Sequence, residues 1–270
     1  MDIEAIRRNL TARSGVIGRE IVFYDITSST NLEVLRLASE GYPEGTVVIA
    51  DGQTAGKGRR GRTWLSPAGK NLYMSILLTP RMRLKEAAVL TIMTSAACVS
   101  ALAESTALPV SIKWPNDIMV SERKLGGILT EAGAGGEGIC RFVIGIGINV
   151  NWDLAELPEE IRAASASILN ETGKKASRTE IAAAILKEMD GWYATLLAGG
   201  PRPVVEAWRE LSSTLGREVR VTMEDTAVQG TAEGMDEEGR LLLRRTDGNL
   251  ERISAGDVVH LRNSQELEGL

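Results

Sequence analysis

The feature that most constrains the fold of this chain is a change of pattern near Leu215. Before this point, apolar runs typical of strands alternate with segments of helical periodicity. After it, short strand-like runs follow one another closely, and turn signals at Asp236–Gly239 and Asp247-Gly248 separate the later ones. We therefore predict an N-terminal helix in residues 1–15, an α/β domain in 16–214 and a small β-domain in 215–264.

Within the α/β part, the apolar pattern predicts six strands and five helices. The predicted strands are Ile21–Tyr24, Val47–Ala50, Leu72–Leu78, Val110–Trp114, Leu125–Thr130 and Phe142–Val150. The predicted helices are Asp2–Ala12, one capped by Thr30 with Glu33 completing a capping box, Leu84–Ala103, one from Ser177 to about Leu197, and Pro203–Leu215.

Composition restricts the class of protein. The 270 residues carry a net charge of -5 and include one His and two Cys, which argues against a zinc site and against a disulfide framework. With a single His260, a mechanism of the Ser-His-Asp kind is disfavoured. We see no signal-peptide pattern and no apolar run of membrane-spanning length, so we expect a cytoplasmic protein without a metal site or a membrane partner.

A basic loop stands out against this acidic background. Gly56–Arg62 contains three glycines and four cationic residues in seven positions. Glycines let the backbone approach a ligand and arginines match phosphate or carboxylate groups, which favours a site for a small anion. A solvated turn and a nucleic-acid patch remain alternatives, and the spacing around Lys57 does not fit a Walker A motif.

Further candidates lie later in the chain, and each has a structural alternative. Lys113-Trp114-Pro115-Asn116-Asp117 could carry chemistry or could be a turn between strands. Lys124 could face a bound anion or could protect an edge strand. Gly145 and Gly147 indicate a buried strand that another group approaches closely, and Asn149 could contact a ligand or end that strand.

The order of these motifs is more specific than any one of them. A Ser28–Asn31 helix start, Gln53 with the basic loop and Trp64, Lys113–Asp117, the segment around Lys124, and Gly145-x-Gly147-Ile148-Asn149 follow one another. Together they closely resemble biotin protein ligase, the biotin–[acetyl-CoA-carboxylase] ligase. The resemblance covers roughly Ile21–Leu215, and the small C-terminal domain fits it too.

The resemblance implies a fold and a reaction. The fold is an α/β catalytic domain, shared with lipoate ligases, in which helices flank a mixed β-sheet, followed by an SH3-like β-barrel. Biotin and ATP would give biotinyl-5′-AMP, and the biotinyl group would then pass to one lysine of a biotin carboxyl carrier protein. Magnesium would be held mainly by the ATP phosphates.

The resemblance also assigns roles to individual residues. Lys124 and Arg59 are the catalytic candidates. Biotin or biotinyl-AMP would contact Ser29, Thr30, Asn31, Gln53, Lys57, Gly58, Arg59 and Lys124. The candidates for the nucleotide side are Arg62, Trp64, Asn116, Asp117, Gly127 and Asn149.

Two further features of the sequence concern a departure from the family pattern and the expected partners of the protein. Family members often have Arg where this chain has Lys57, which keeps the charge but loses bidentate geometry. About twenty residues precede Ile21, so we expect the monofunctional type, without a DNA-binding domain and without DNA as a partner. A homodimer is compatible with the resemblance, and a lipoate ligase and a nucleic-acid-binding protein are the rival interpretations.

Overall fold

The α/β part is built on a seven-stranded mixed sheet. The computed structural model describes residues 1–10, 15–134, 140–223 and 226–261. The sheet order is β1-β2-β3-β7-β6-β5-β4, and only the β1–β2 pair is parallel. Its strands are β1 (Ile21–Thr27), β2 (Val47–Gln53), β3 (Leu72–Leu78), β4 (Val110–Lys113), β5 (Asp117–Val120), β6 (Arg123–Ala134) and β7 (Cys140–Ile148).

Helices cover both faces of this sheet, so its central strands are apolar on both sides. On one face, Val34 and Leu37 pack against Leu77 of β3. The large core lies on the other face and includes Leu90 of α3 and Trp208 of α7. The helices are α1 (Ile3–Leu10), α2 (Thr30–Ser39), α3 (Ala87–Thr106), α4 (Glu159–Arg162), α5 (Ile168–Thr172), α6 (Arg178–Gly199) and α7 (Arg202–Leu211).

The central helix α3 corrects the expectation that the chain has no apolar segment of membrane-spanning length. With the short 3₁₀ turn Leu84–Glu86 that precedes it, α3 forms a 23-residue helical segment, Leu84–Thr106, which is long and apolar enough, by length and composition, to cross a membrane. However, 67% of the most apolar window is buried inside the fold, where its residues pack under the sheet. This burial is that of a core helix, whose apolar surface needs no lipid.

The second domain is a five-stranded antiparallel sheet, ordered β11-β10-β9-β8-β12. Its strands are β8 (Glu218–Thr222), β9 (Ala227–Met235), β10 (Leu241–Arg245), β11 (Leu250–Ile253) and β12 (Asp257–His260). Trp114, which is 2% exposed, donates from its backbone N–H to Thr214 Oγ1 at 3.0 Å and from Nε1 to the Gly239 carbonyl at 3.3 Å. The β-domain is thus joined to the end of β4 by hydrogen bonds of a buried tryptophan.

The predicted fold class is confirmed: a mixed sheet flanked by helices precedes a small antiparallel β-domain. The turn between strands that was the alternative for Lys113–Asp117 is present at Trp114–Asn116. The strand that follows it, Asp117–Val120, was not predicted, and its four residues pair with both β4 and β6. One local expectation was wrong. Helix α2 begins at Thr30 with Ser29 as its N-cap, and no side-chain cap forms, because the Thr30 hydroxyl contacts Gln53 and Ser75 instead.

The predicted ends of the two terminal segments fall partly outside the described residues. The N-terminal helix spans Ile3–Leu10, and positions 11–14 of the segment 1–15 lie beyond what the structure describes. The same holds for residues 262–264 of the predicted C-terminal domain.

Candidate active site

A cavity of about 460 Å³ lies between the large sheet, the basic loop and strand β12. Its size is within the range of small-molecule sites. The lining combines residues from both domains, including Asp257, Val258 and Val259. Of the residues predicted from the sequence, it contains Ser29, Thr30, Asn31, Gln53, Lys57, Gly58, Arg59, Arg62, Trp64, Asn116, Asp117, Lys124 and Gly127.

One end of the cavity is built from uncharged polar side chains. The start of α2 places Thr30 and Asn31 there, both 4% exposed. Gln53 accepts the Thr30 backbone N–H at 2.9 Å and donates to Ser66 Oγ at 2.9 Å. Buried donors and acceptors of this kind can match a polar ring group in a defined orientation.

Lys124 reaches the cavity because strand β6 contains a bulge. Met119 of β5 pairs with Lys124, whereas Ile118 pairs with Gly126, so Leu125 is an extra residue in β6. Leu125 is fully buried in the large core, while Lys124 lines the cavity. A bulge reverses the alternation of side chains at this point and thereby re-aims the lysine.

The Lys124 ammonium is held by two neighbours. Nζ lies 2.6 Å from Asp117 Oδ1 and 5.5 Å from the centroid of the Trp64 ring. The ion pair and the ring together hold the ammonium group in place beside the cavity. A side chain at Gly127 would begin 3.4 Å from Lys124 Cε, so this glycine keeps the space around the lysine open.

The basic loop is folded back on itself. Lys57 pairs with Thr63, and the Gly58 N–H donates to the Arg62 carbonyl at 2.7 Å. A Cβ at Gly56 would lie 2.5 Å from the Trp64 carbonyl oxygen, so the close approach at the base of the loop requires glycine. The loop therefore presents its cations from a defined hairpin.

The loop also contacts the second domain, which sequence reasoning missed. Asp257 of β12 forms ion pairs with Arg60, at 3.3 Å, and with Arg62. Arg59 donates from Nη1 to Asn116 Oδ1 at 3.1 Å and to the Gly256 carbonyl at 3.3 Å. No sequence signal marked Asp257, because it lies 195 positions from Arg62 at the start of a short strand.

Arg59 differs from its loop neighbours in how its charge is balanced. Among the residues that the structure describes, it forms hydrogen bonds to neutral oxygens and no ion pair with a carboxylate. Burial lowers its pKa, with the more distant charges of Asp257 and Asp117 acting in the opposite direction. A half-buried guanidinium without a close counter-ion is suited to an anionic ligand.

The two glycines of β7 make room for protein side chains as well as lining the cavity. A Cβ at Gly145 would lie 2.4 Å from Asn31 Oδ1, and one at Gly147 would lie 2.6 Å from Trp64 Nε1. The predicted close approach is therefore present, and the approaching groups include Asn31 and Trp64. Trp64 Nε1 is buried without a hydrogen-bond partner in the described structure.

We expect Gly147→Ala to lower the free energy of unfolding by about 1–3 kcal/mol, because the new methyl group overlaps the Trp64 indole. The displaced indole should also weaken ligand binding in the cavity. Chemical denaturation and tryptophan fluorescence measure the two effects. Gly133→Ala in β6 is the matched control, since a Cβ there meets nothing within 4 Å. Equal stability of the two variants would contradict this expectation.

Asn149 is placed apart from the other candidates. It is buried, donates from Nδ2 to the Ala166 carbonyl at 3.0 Å and accepts from Asn71 at 3.3 Å. It does not line the cavity. In this structure its amide joins the end of β7 to the segment before α5, and its contact with a nucleotide stays a prediction.

His260 also lies outside the cavity lining. Its ring is near Thr214 Oγ1, at 3.4 Å, and Arg217 Nη1, at 3.3 Å. Burial lowers its pKa, and Lys113 and Arg217 act in the same direction. These contacts place the histidine at the junction of the two domains.

Comparison with known proteins agrees with this architecture. Residues 22–149 match the Biotin/lipoate A/B protein ligase family, and residues 214–261 match the Biotin protein ligase C terminal domain. A Bifunctional ligase/repressor BirA from Bacillus subtilis is 34% identical over 246 residues, covering 91% of this chain and 75% of the relative. A Biotin–[acetyl-CoA-carboxylase] ligase from Paracoccus denitrificans is 34% identical, covering 86% of this chain and 97% of the relative.

Solved structures give the same result. The structure of "Biotin protein ligase from Aquifex aeolicus in complex with biotin and ATP" superposes with a TM-score of 0.77 at 31% identity, covering 91% of this chain and all of that chain. The fold and cavity thus define an α/β ligase whose site is closed on one side by a small β-domain. The chain belongs to the biotin protein ligase family.

Proposed function

We propose that this protein attaches biotin to a carrier protein in an ATP-dependent reaction. The observation that carries the proposal is that one cavity is lined by a neutral polar end, by Lys124 and by the cationic loop. Such a cavity suits a ligand with a polar uncharged ring, an apolar linker and a phosphorylated end. The family and its members with bound biotin and ATP support this assignment.

The chemistry proceeds in two steps. The biotin carboxylate oxygen attacks the α-phosphorus of ATP, the bond to the β-phosphate oxygen breaks, and biotinyl-5′-AMP and pyrophosphate form. The neutral amine of a carrier lysine then attacks the acyl carbon, an amide forms, and AMP leaves with the electron pair of the acyl–oxygen bond. The protein supplies positioning and charge stabilisation, and needs no nucleophile of its own.

The side chains divide this work. Thr30, Asn31 and Gln53 would hold the ring of biotin at the neutral end. Lys124 would lie between the carboxylate and the α-phosphate, where its charge offsets their repulsion. Arg59 would bind the adenylate phosphate. Asp117, at 2.6 Å from Lys124, is near enough to the reacting groups to accept a proton from the incoming amine.

Magnesium is proposed to enter with the nucleotide. The described residues contain no cluster of three or more His, Cys, Asp or Glu side chains suited to a metal. Asp117 and Asp257, the two carboxylates in the cavity lining, are both ion-paired with cations. Among the described residues, these ion-paired carboxylates are not arranged to hold a metal by themselves, and magnesium would be held mainly by the ATP phosphates.

The carrier is proposed to be a biotin carboxyl carrier protein domain of acetyl-CoA carboxylase or a related carboxylase. A relative named for biotinylating acetyl-CoA carboxylase supports this choice. We further propose a reducing, cytoplasmic setting, which suits the free thiols of Cys98 and Cys140. We also propose that two copies of this chain form a homodimer.

The purified protein should transfer labelled biotin to a carrier domain when ATP is present, with release of one pyrophosphate per biotin. Lipoate offered in place of biotin tests the rival ligase activity on the same cavity. A carrier domain whose acceptor lysine is replaced by arginine provides the control. Transfer of lipoate without transfer of biotin, or no transfer of either, would overturn the proposed function.

A further inference from the structure

The backbone of Lys124 is held by a segment that does not itself line the cavity. The Lys124 N–H donates to the Ala164 carbonyl and the Lys124 carbonyl accepts from the Ala166 N–H, both at 2.8 Å. We propose that Asn149 is a positioning residue for Lys124: its buried amide anchors this segment at Ala166, and the segment keeps Lys124 in the bulge that directs its ammonium group into the cavity. This inference rests on the proposed function, because it concerns the catalytic role given to Lys124.

The two residues at the bulge are bonded to two different parts of the chain. Lys124 forms a bridge with Ser165, through the two backbone bonds of the segment 164–166. The carbonyl of Leu125 accepts from the backbone N–H of Asn149, which directly follows β7, at 2.8 Å. Because a bulge interrupts the regular ladder, these outside partners determine which residue faces the cavity and which faces the core.

The Asn149 side chain joins these two parts of the chain. Its Nδ2 donates to the Ala166 carbonyl at 3.0 Å, and its Oδ1 accepts from Asn71 Nδ2 at 3.3 Å. Asn71 Oδ1 in turn accepts the Val150 N–H at 2.9 Å. A backbone carbonyl can only accept and a backbone N–H can only donate, so the orientation of both amides is fixed.

The amide lies where an exposed part of the chain returns to the core. Residues 158–164 are exposed, whereas Ala166 is fully buried and Asn149 is 7% exposed. Loss of the Asn149 amide leaves the buried Ala166 carbonyl without this donor and loosens the segment beside Lys124. A displacement of the lysine by about 1 Å is enough to slow a reaction about a hundredfold.

We expect Asn149→Ala to slow adenylation at saturating biotin and ATP about tenfold to a hundredfold, while KM for each substrate stays within about threefold of the parent. Asn149→Asp keeps an oxygen for Asn71 but replaces the donor to Ala166 by an acceptor, so its loss should be at least as large. The two variants together ensure that the test does not depend on the folding of one of them.

Asn151→Ala is the matched control. The Asn151 amide makes a bond of the same kind, donating to the Ala176 carbonyl and accepting the Ala176 N–H, both at 2.9 Å. These bonds lead to the segment before α6 instead of to Lys124. The control should therefore keep the parental rate of adenylation, and a loss as large as that of Asn149→Ala would overturn the inference.

A double substitution separates positioning of Lys124 from a direct role in binding. Lys124→Gln lacks the ammonium group that Asn149 positions, so adding Asn149→Ala to it should slow adenylation by less than about threefold. Losses that multiply in the double variant would overturn the inference. A raised KM for ATP with an unchanged kcat would also overturn it, and would favour the nucleotide contact predicted for Asn149 from the sequence.

Hydrogen exchange tests the structural link without any substrate. The Lys124 N–H is bonded to Ala164, so Asn149→Ala should speed exchange in the peptide that contains Lys124 at least about tenfold, with parental rates in β8 and in Asn151→Ala. Unchanged exchange at Lys124, or equal acceleration throughout the chain, would contradict the inference. If the parent forms no biotinyl-AMP, the proposed function fails, whereas an active parent whose Asn149→Ala variant keeps its rate and its exchange refutes the inference alone.

Discussion

Lys124→Gln is expected to slow the formation of biotinyl-AMP by on the order of 10²–10³, the range observed when a preorganised donor is removed. The biotin carboxylate and the α-phosphate are both anions and must approach each other for reaction. The Lys124 ammonium is held beside the cavity by Asp117 and Trp64, so its charge is in place before the substrates react. Glutamine keeps much of the size of lysine but carries no charge.

The fold should survive this substitution, because the Lys124 side chain is 36% exposed and its partner Asp117 is 27% exposed. Asp117 can then regain water as its neighbour is lost. Single-turnover adenylation at saturating biotin and ATP measures the effect without contributions from carrier binding. Biotin affinity should change much less than the rate.

Lys57 and Lys113 also line the cavity and provide matched comparisons. Lys57→Gln and Lys113→Gln remove the same charge from other parts of the wall. If either of these variants loses adenylation while Lys124→Gln keeps a rate near that of the parent, the role assigned to Lys124 is wrong.

Arg59→Gly is expected to release biotinyl-AMP about ten to a hundred times faster, while its formation is less affected. The guanidinium is half-buried and bonded to the neutral oxygens of Asn116 and Gly256, so the adenylate phosphate can be its principal counter-ion. Loss of a charge-assisted hydrogen bond costs about 1.5–3 kcal/mol, which corresponds to one to two decades in the dissociation rate. The released intermediate should then label lysines of bystander proteins.

Arg60→Gly is the control for this prediction. Arg60 belongs to the same loop and carries the same charge, but it does not line the cavity and is paired with Asp257. Its backbone has a φ of 55°, which glycine adopts readily. Dissociation of preformed biotinyl-AMP can be followed by chase with unlabelled ligand. Identical release from the parent and Arg59→Gly, or equal acceleration in Arg60→Gly, would contradict the role of Arg59.

Local sequence patterns were sufficient for the fold class and the family. Alternating strand and helix patterns predicted the mixed α/β sheet, and close-set strands with Asp-Gly turns predicted the β-domain after Leu215. These patterns reflect burial and turn preferences over a few residues, which the chain carries in itself. The order of the motifs then indicated biotin protein ligase, which the comparisons confirmed.

The geometry of the site depended on contacts that no local pattern contains. Alternation in β6 places residues three positions apart on opposite faces, yet Lys124 and Gly127 share the cavity because of the bulge at Leu125. Strand β5 was missed for a related reason, since its four residues are stabilised by two neighbouring strands more than by their own propensities.

The sequence by itself therefore determined the elements, the fold class and most of the side chains that line the cavity. The tertiary structure decided which groups meet: Asn31 and Glu131 are 100 positions apart, and Arg62 and Asp257 are 195 positions apart. It also gave the Asn149 amide a partner in the Ala166 carbonyl, and Asn149 is not among the residues that line the cavity. Periodicity indicates which face of an element is buried, whereas the packing of the sheet, the loop and the second domain sets the partner and the distance of each side chain.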